Sequence, residues 1–150
     1  MRYFLDTEYD GYAGRLISLA LVADNGEELY LVVDGPPIAE AWVERHVVPY
    51  LDHVPEMMRG ERYSRRDAAA AVMHFLAHDL EPEIIADWPE DLAQFSMLLV
   101  TGPGEMERMP GYTLRYISLR GFSTARNSAV PHNALHDARA LRDHLANILD

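Results

Sequence analysis

Residues 4–22 read FLDTEYDGYAGRLISLALV and place three acids between two apolar runs. The second run, residues 15–23, is almost unbroken, as is typical of a strand buried on both faces. An Asn-Gly pair follows at 25–26 and strongly favours a two-residue hairpin, after which residues 28–33, ELYLVV, return as the next predicted strand. The chain therefore opens with three predicted strands in an antiparallel meander.

The rest of the chain alternates predicted helices with shorter strand segments. Ser64 is a good N-cap for one of these helices, whereas Pro49 should end or bend another. The predicted helices are residues 37–51, 65–78, 90–99 and 132–149, the predicted strands are residues 83–86 and 112–119, and residues 121–131 are predicted to be irregular. This order predicts an α/β fold, a mixed sheet with antiparallel and parallel parts flanked by helices.

Composition narrows the class of protein. The 150 residues suit one domain, predicted to span residues 1–150, and the hydrophobic share of 49% is enough for one core. The sequence has no apolar stretch of membrane-spanning length and no signal-peptide pattern, so a cytoplasmic protein without a membrane partner is expected. With no cysteine, thiolate metal sites and cysteine nucleophiles are excluded.

The net charge of −11 bears on the substrate. A protein that binds long nucleic-acid duplexes tightly normally has a positively charged surface patch. Two bound Mg²⁺ ions would bring four positive charges and change the total from −11 to −7. All of the added positive charge would lie at the site that contacts phosphate. A small molecule or a short oligonucleotide therefore fits this charge better than a long duplex does.

An acidic pair, Asp6 and Glu8, ends the first predicted strand. Residues two apart on a strand point to the same face, so the two carboxylates lie side by side. Their repulsion would raise a pKa, and a hard cation such as Mg²⁺ would remove that cost. A solvated strand end is the alternative interpretation, but the apolar residues on both sides place the pair at the mouth of a core strand.

His132 precedes Asp137 by five residues at the entrance of the last predicted helix. A histidine before the helix can approach an aspartate in its early turns. Taken alone, the segment is more typical of a histidine that caps the helix and of a surface aspartate in its first turns, because helix starts favour acids.

The third acidic segment follows the predicted strand at 83–86 and contains Asp87, Glu90 and Asp91. One acid at such a junction is ordinary capping. Three acids within five positions are more than capping needs.

Together these motifs make the chain resemble the DEDDh 3′–5′ exonucleases, the RNase T-like superfamily with an RNase H-like fold. Asp-x-Glu on a first strand, an acid after a middle strand and His-x4-Asp at a C-terminal helix carry the resemblance, which spans residues 2 to about 145. The chain looks most similar to the small stand-alone bacterial 3′–5′ exoribonucleases of the mycobacterial type. The middle segment departs from the superfamily pattern, which usually has His-Asn and then Phe-Asp.

The resemblance implies a role for each matching residue. His132 would be the general base, and the implied ligands of two Mg²⁺ or Mn²⁺ ions are Asp6, Glu8, Asp91 and Asp137. Asp87 is the rival of Asp91 for the fourth ligand. Thr7, Glu8 and Trp88 would contact substrate, although Trp88 would alternatively pack in the interior.

The implied activity is hydrolysis from the 3′ end of single-stranded RNA or short oligonucleotides, releasing nucleoside 5′-monophosphates, by a homodimer. A DNA-directed 3′–5′ exonuclease is an alternative, because no residue in the sequence decides whether the 2′-hydroxyl is read. A non-catalytic interaction domain on the same fold is a second alternative, although it should have lost the acids.

Overall fold

The computed structural model describes residues 1–109, 111–146 and 148–149. Their strands are β1 (Arg2–Tyr9), β2 (Leu16–Ala23), β3 (Glu28–Val32), β4 (Glu83–Ala86), β5 (Val100–Gly102), β6 (Glu105–Met106) and β7 (Thr113–Tyr116). Their helices are α1 (Ala41–His46), α2 (Arg65–Leu76), α3 (Pro89–Leu99), α4 (Thr124–Asn127) and α5 (Ala134–Leu145), with 3₁₀ turns at Val48–Tyr50 and Glu56–Met58. None of the helices in these ranges has the length and apolar character needed to cross a bilayer.

The described strands form a mixed five-stranded sheet in the order β3-β2-β1-β4-β7, beside a small β5-β6 hairpin. β1 pairs antiparallel with β2, and β2 with β3, whereas β4 runs parallel to β1 and β7 runs parallel to β4. This arrangement confirms the predicted α/β, RNase H-like mixed sheet. The Asn-Gly hairpin is confirmed as well, since Gly26 has a φ of 88° and donates its N–H to Ala23 O.

Both faces of the sheet are covered, and β2 is buried along its whole length. Leu19 and Leu21 lie in the core cluster that includes α2 and α3, whereas Ala20 and Val22 lie in the one that includes α5. This alternation follows from the two-residue period of a strand. Burying each such leucine stabilises the fold by roughly 1.5–3 kcal/mol, which explains why this apolar run dominates the sequence.

Several predicted boundaries differ from the structure. The helix predicted at 37–51 is only the six-residue α1 and a 3₁₀ turn that has Pro49 inside it. The strand predicted at 112–119 shrinks to β7, and residues 121–131 include the short helix α4. The last helix begins two residues later than predicted and ends at Leu145. Residue 147 of that prediction lies outside the described residues.

Asn133 determines where α5 begins. Its buried side chain accepts from the N–H groups of Leu135 and His136 at 3.2 and 3.4 Å, as an N-cap does. Its amide also donates to Tyr50 O at 2.8 Å, which ties the start of α5 to the 3₁₀ turn. One side chain therefore fixes both the beginning of the helix and its position.

We expect Asn133→Ala to lower the free energy of unfolding by about 2–3 kcal/mol. A lost N-cap, which leaves the N–H groups of Leu135 and His136 without their acceptor, costs ~1 kcal/mol, and the lost bond that leaves Tyr50 O unpaired adds the rest. Urea denaturation of the two proteins measures the difference. Ser64→Ala is the matched control because Ser64 caps α2 through the Asp67 N–H at an exposed position, and it should cost only ~1 kcal/mol. Equal losses in the two variants would contradict the role of the Tyr50 contact.

Candidate active site

Acidic side chains from separate parts of the chain converge at one end of the sheet. Asp6 and Glu8 lie on β1, Asp87 directly follows β4, and Asp91 and Asp137 lie in the first turns of α3 and α5. Because β1 and β4 are parallel, their carboxyl ends meet at the same edge. All five line one cleft, here called the acid cleft, with a volume of about 480 Å³.

Because a strand has a two-residue period, the polar side chains of β1 point to both faces of the sheet. Phe4 packs in the cluster with Leu141 and Leu145 of α5, so Asp6 and Glu8, two and four residues later, share the face toward α5. Leu5 packs with the α2 and α3 side, and Thr7 therefore faces α3. The tripeptide 6–8 thus reaches two helices at once.

Thr7 holds Asp91 in place. The Thr7 hydroxyl donates to Asp91 Oδ1 at 2.6 Å, and the Thr7 N–H donates to the same oxygen at 3.2 Å. Asp91 is only 3% exposed, so these bonds orient a carboxylate that faces little water. Asp87 also lines the cleft, but it is only half-buried. Both candidates for the fourth metal ligand therefore lie in the same cleft as Asp6.

His132 lies at the mouth of the cleft, one residue before the Asn133 cap, in a left-handed backbone conformation with φ of 61°. Its N–H donates to Asp137 Oδ2 at 3.3 Å. Ligand atoms of Glu8, His132 and Asp137 all lie within 4.8 Å of one another, a group that could hold a metal ion. Asp137 is 3% exposed, so the interpretation of Asp137 as a surface residue, and of His132 as the cap, is wrong.

Trp42 contacts His132, and the sequence did not predict this contact. Trp42 of α1 meets the His132 ring edge-on, with ring centroids 4.9 Å apart, and stacks on His46 with centroids 4.7 Å apart. The sequence placed Trp42 only within the helix predicted at 37–51. Its contact with His132 arises from the packing of α1 against the loop before α5, which no local pattern reveals.

The predicted substrate residues are also at the acid cleft. Thr7 and Trp88 both line it, but Thr7 is 5% exposed and is engaged with Asp91. Trp88 is 57% exposed, so the interpretation of Trp88 as an interior packing residue is wrong. Phe122 and Thr124, from the segment predicted to be irregular, also line the cleft.

Burial of these acids raises their pKa values. Burial, followed by the charge of Asp91, raises the pKa of Asp6 well above its ordinary range. Burial and the charges of Asp137 and Asp91 raise the pKa of Glu8 to about 8. Burial raises the pKa of Asp91 to about 7 and that of Asp137 to about 6. Without counter-charges the cleft therefore retains protons near neutral pH.

The donor set fits hard divalent cations. Carboxylate oxygens are the ligands that Mg²⁺ prefers, and a bound cation offsets the repulsion among the acids. Asp137 Oδ1 is buried and makes no hydrogen bond of good geometry among the described residues, although the Ser128 hydroxyl is near enough to lower the pKa of this carboxyl group. A buried carboxylate oxygen without a partner is costly, and a metal ion would satisfy it. The residues present therefore fit a metal centre.

The raised pKa of Glu8 predicts a pH-dependent stability. Because its pKa rises from 4.5 to about 8 on folding, the folded state binds the proton more tightly. The free energy of unfolding then falls as the pH rises between these values. In EDTA we expect Glu8→Gln, which cannot ionise, to melt at least ~3 °C above wild type at pH 8. The difference should be several-fold smaller at pH 5 in thermal denaturation followed by circular dichroism.

Glu56→Gln serves as the control, since Glu56 is an exposed glutamate outside the acid cleft. It should melt with wild type at both pH values. A melting difference between Glu8→Gln and wild type that is the same at pH 5 and pH 8 would contradict the burial argument.

Comparison with known proteins gives a partial match. No protein-family model matches the chain. Over 55 residues, the chain is 47% identical to a Mycobacterium tuberculosis protein named 3′-5′ exoribonuclease, in strain CDC 1551 and in strain H37Rv alike. The match covers 34% of this chain and 33% of each relative. The chain is therefore similar, over about a third of its length, to a named 3′-5′ exoribonuclease.

Proposed function

We propose that this chain is a metal-dependent 3′–5′ exoribonuclease of the DEDDh type, formed by one domain over residues 1–150. The observation that carries the proposal is the convergence of Glu8, His132 and Asp137, whose ligand atoms lie within 4.8 Å of one another. Asp6, Asp87 and Asp91 line the same cleft. The partial identity with a named 3′-5′ exoribonuclease supports the same reaction.

The proposed metal ligands are Asp6, Glu8, Asp91 and Asp137, which would hold two Mg²⁺ or Mn²⁺ ions. Two such ions lower the pKa of an attacking water and stabilise the leaving oxygen in phosphodiester hydrolysis. The hydrogen bonds from Thr7 favour Asp91 over Asp87 as the fourth ligand, because they fix the Asp91 carboxylate with one oxygen engaged. An oriented carboxylate loses less freedom when it binds an ion.

His132 is the proposed general base. Burial, and to a lesser extent the charge of His46, lowers the pKa of His132. The imidazole is therefore largely neutral at pH 7 and able to accept a proton from the attacking water. The edge contact with Trp42 limits the positions of the ring, which keeps the accepting nitrogen directed at the cleft mouth.

The proposed substrate is the 3′ end of single-stranded RNA or of a short oligonucleotide, released as nucleoside 5′-monophosphates. The name of the relatives supports RNA over DNA, and exposed Trp88 offers a ring on which a base can stack. A homodimer, implied by the family resemblance, is part of the proposal and is tested by analytical ultracentrifugation.

Digestion of matched RNA and DNA oligonucleotides labelled at the 5′ end tests this function. With Mn²⁺ we expect a ladder that shortens from the 3′ end of the RNA, faster than for DNA, and no cleavage in EDTA. Faster digestion of the DNA would favour the DNA-directed alternative. The absence of Mn²⁺- or Mg²⁺-dependent hydrolysis of either strand would favour a non-catalytic interaction domain.

Variants separate the proposed roles. His132→Ala should lower kcat by about 10²–10⁴, the usual contribution of a general base. Asp6→Asn and Asp91→Asn should lose more, because metal binding itself fails, whereas Asp87→Asn should lose less than Asp91→Asn. Initial rates on labelled RNA and Mn²⁺ affinities by calorimetry measure the two effects. A larger loss in Asp87→Asn than in Asp91→Asn would reverse the ligand assignment.

A further inference from the structure

Trp88 borders three cavities that follow one another across the surface. The first is the acid cleft. The second, of about 370 Å³, shares Thr7, Glu8 and Trp88 with the acid cleft and adds Trp42. The third, here called the α3 groove, has a volume of about 670 Å³, and its walls include Tyr12, Arg15, Arg65, Trp88, Gln94 and Met97. A continuous track therefore leads from the acids along helix α3.

We propose that the α3 groove binds the nucleotides that precede the scissile bond in a single-stranded RNA. This inference rests on the proposed function, which assigns the 3′-terminal nucleotide to the acid cleft. It adds a separate binding surface for the upstream strand, and hence a preference for substrates longer than a dinucleotide.

The charge of the α3 groove suits a polyanion. Its charged lining residues are Arg15, Arg65 and Glu90, a formal charge of +1 in a chain whose total is −11. The acid cleft, by contrast, is lined by five carboxyl groups and one imidazole. A strand leaving the acid cleft passes Glu8 and Glu90 in the second cavity before it reaches Arg15 and Arg65, which attract a phosphate group.

Arg65 is the residue best placed to meet a phosphate. It is exposed, and one guanidinium nitrogen donates to Met97 O at 2.6 Å, which holds the side chain at the far end of the groove. That bond uses one of five N–H donors. Arg15 differs, because its Nη1 donates to the carbonyl oxygens of Leu16 and Val33 at 3.3 Å and supplies charge from the floor. Glu90 is held by the Ala13 N–H at 2.9 Å.

The exposed apolar side chains suit bases. Tyr12, Trp88 and Met97 are 96%, 57% and 56% exposed, although large apolar side chains are usually buried. Aromatic rings beside a positive groove are the usual surface for sequence-independent binding of single strands, in which bases stack on the rings.

The length of the groove sets the number of nucleotides. Trp88 and Met97 lie nine positions apart, at the two ends of α3, so about 14 Å separates them along the helix axis. A stacked strand advances about 3.4 Å per nucleotide. The groove therefore accommodates about four nucleotides upstream of the terminal one.

The test compares kcat/KM for RNA of two to seven nucleotides with Mn²⁺. We expect kcat/KM to rise with length and to level off near five nucleotides. Arg65→Ala should lower the ratio of pentanucleotide to dinucleotide kcat/KM about tenfold, and Met97→Glu, which adds a negative charge, should lower it further. Arg142→Ala removes the same charge from α5, where Arg142 pairs with Asp143, and should leave the ratio unchanged.

The possible outcomes test RNA binding by the α3 groove independently of the proposed exonuclease activity. An absence of hydrolysis at every length would overturn the exonuclease proposal, and the affinity of fluorescein-labelled pentanucleotide, measured by anisotropy in Ca²⁺, would then test the groove alone. Weaker binding by Arg65→Ala but not Arg142→Ala would support the groove. Hydrolysis or binding that is independent of length, or unchanged in both Arg65→Ala and Met97→Glu, would overturn it and leave the groove to another kind of partner.

Discussion

Mutual repulsion of buried carboxylates is the constraint around which this molecule is organised. Asp6, Asp91 and Asp137 are each less than a tenth exposed and share one cleft with Glu8. Burying charged groups without partners is unfavourable, so metal-free protein binds protons there instead. A fold that retains such a cluster gives up stability, which is expected where acids serve a site that binds cations rather than the core.

The topology of the sheet brings these carboxyl groups to one edge. β1 is the central strand, and its alternation directs Asp6 and Glu8 to the α5 side and Thr7 to the α3 side. The parallel neighbour β4 delivers Asp87 and then α3 to the same edge. The residues of the site therefore come from element ends supported by a packed core, which is how a fold fixes reactive groups without flexible loops.

The sequence revealed those features of the fold and site that depend on local periodicity. The two-residue period predicted that Asp6 and Glu8 share a face, and the apolar run of β2 predicted a strand buried on both faces. Tertiary packing decided the rest. Thr7 engages Asp91 rather than Asp87 because α3 packs beside β1, and Trp42 reaches His132 because α1 packs against the loop before α5. β7 is exposed throughout, which also makes its limits hard to predict.

The central claim is that divalent ions displace protons that the acid cleft holds when it is free of metal. Calorimetric titration of Mn²⁺ at pH 7, in two buffers of different ionisation enthalpy, measures ion stoichiometry and proton release together. Since the pKa of Glu8 is about 8 and that of Asp91 about 7, binding of two ions per chain should release at least about one proton. Binding without proton release, or no binding at millimolar Mn²⁺, would contradict the account.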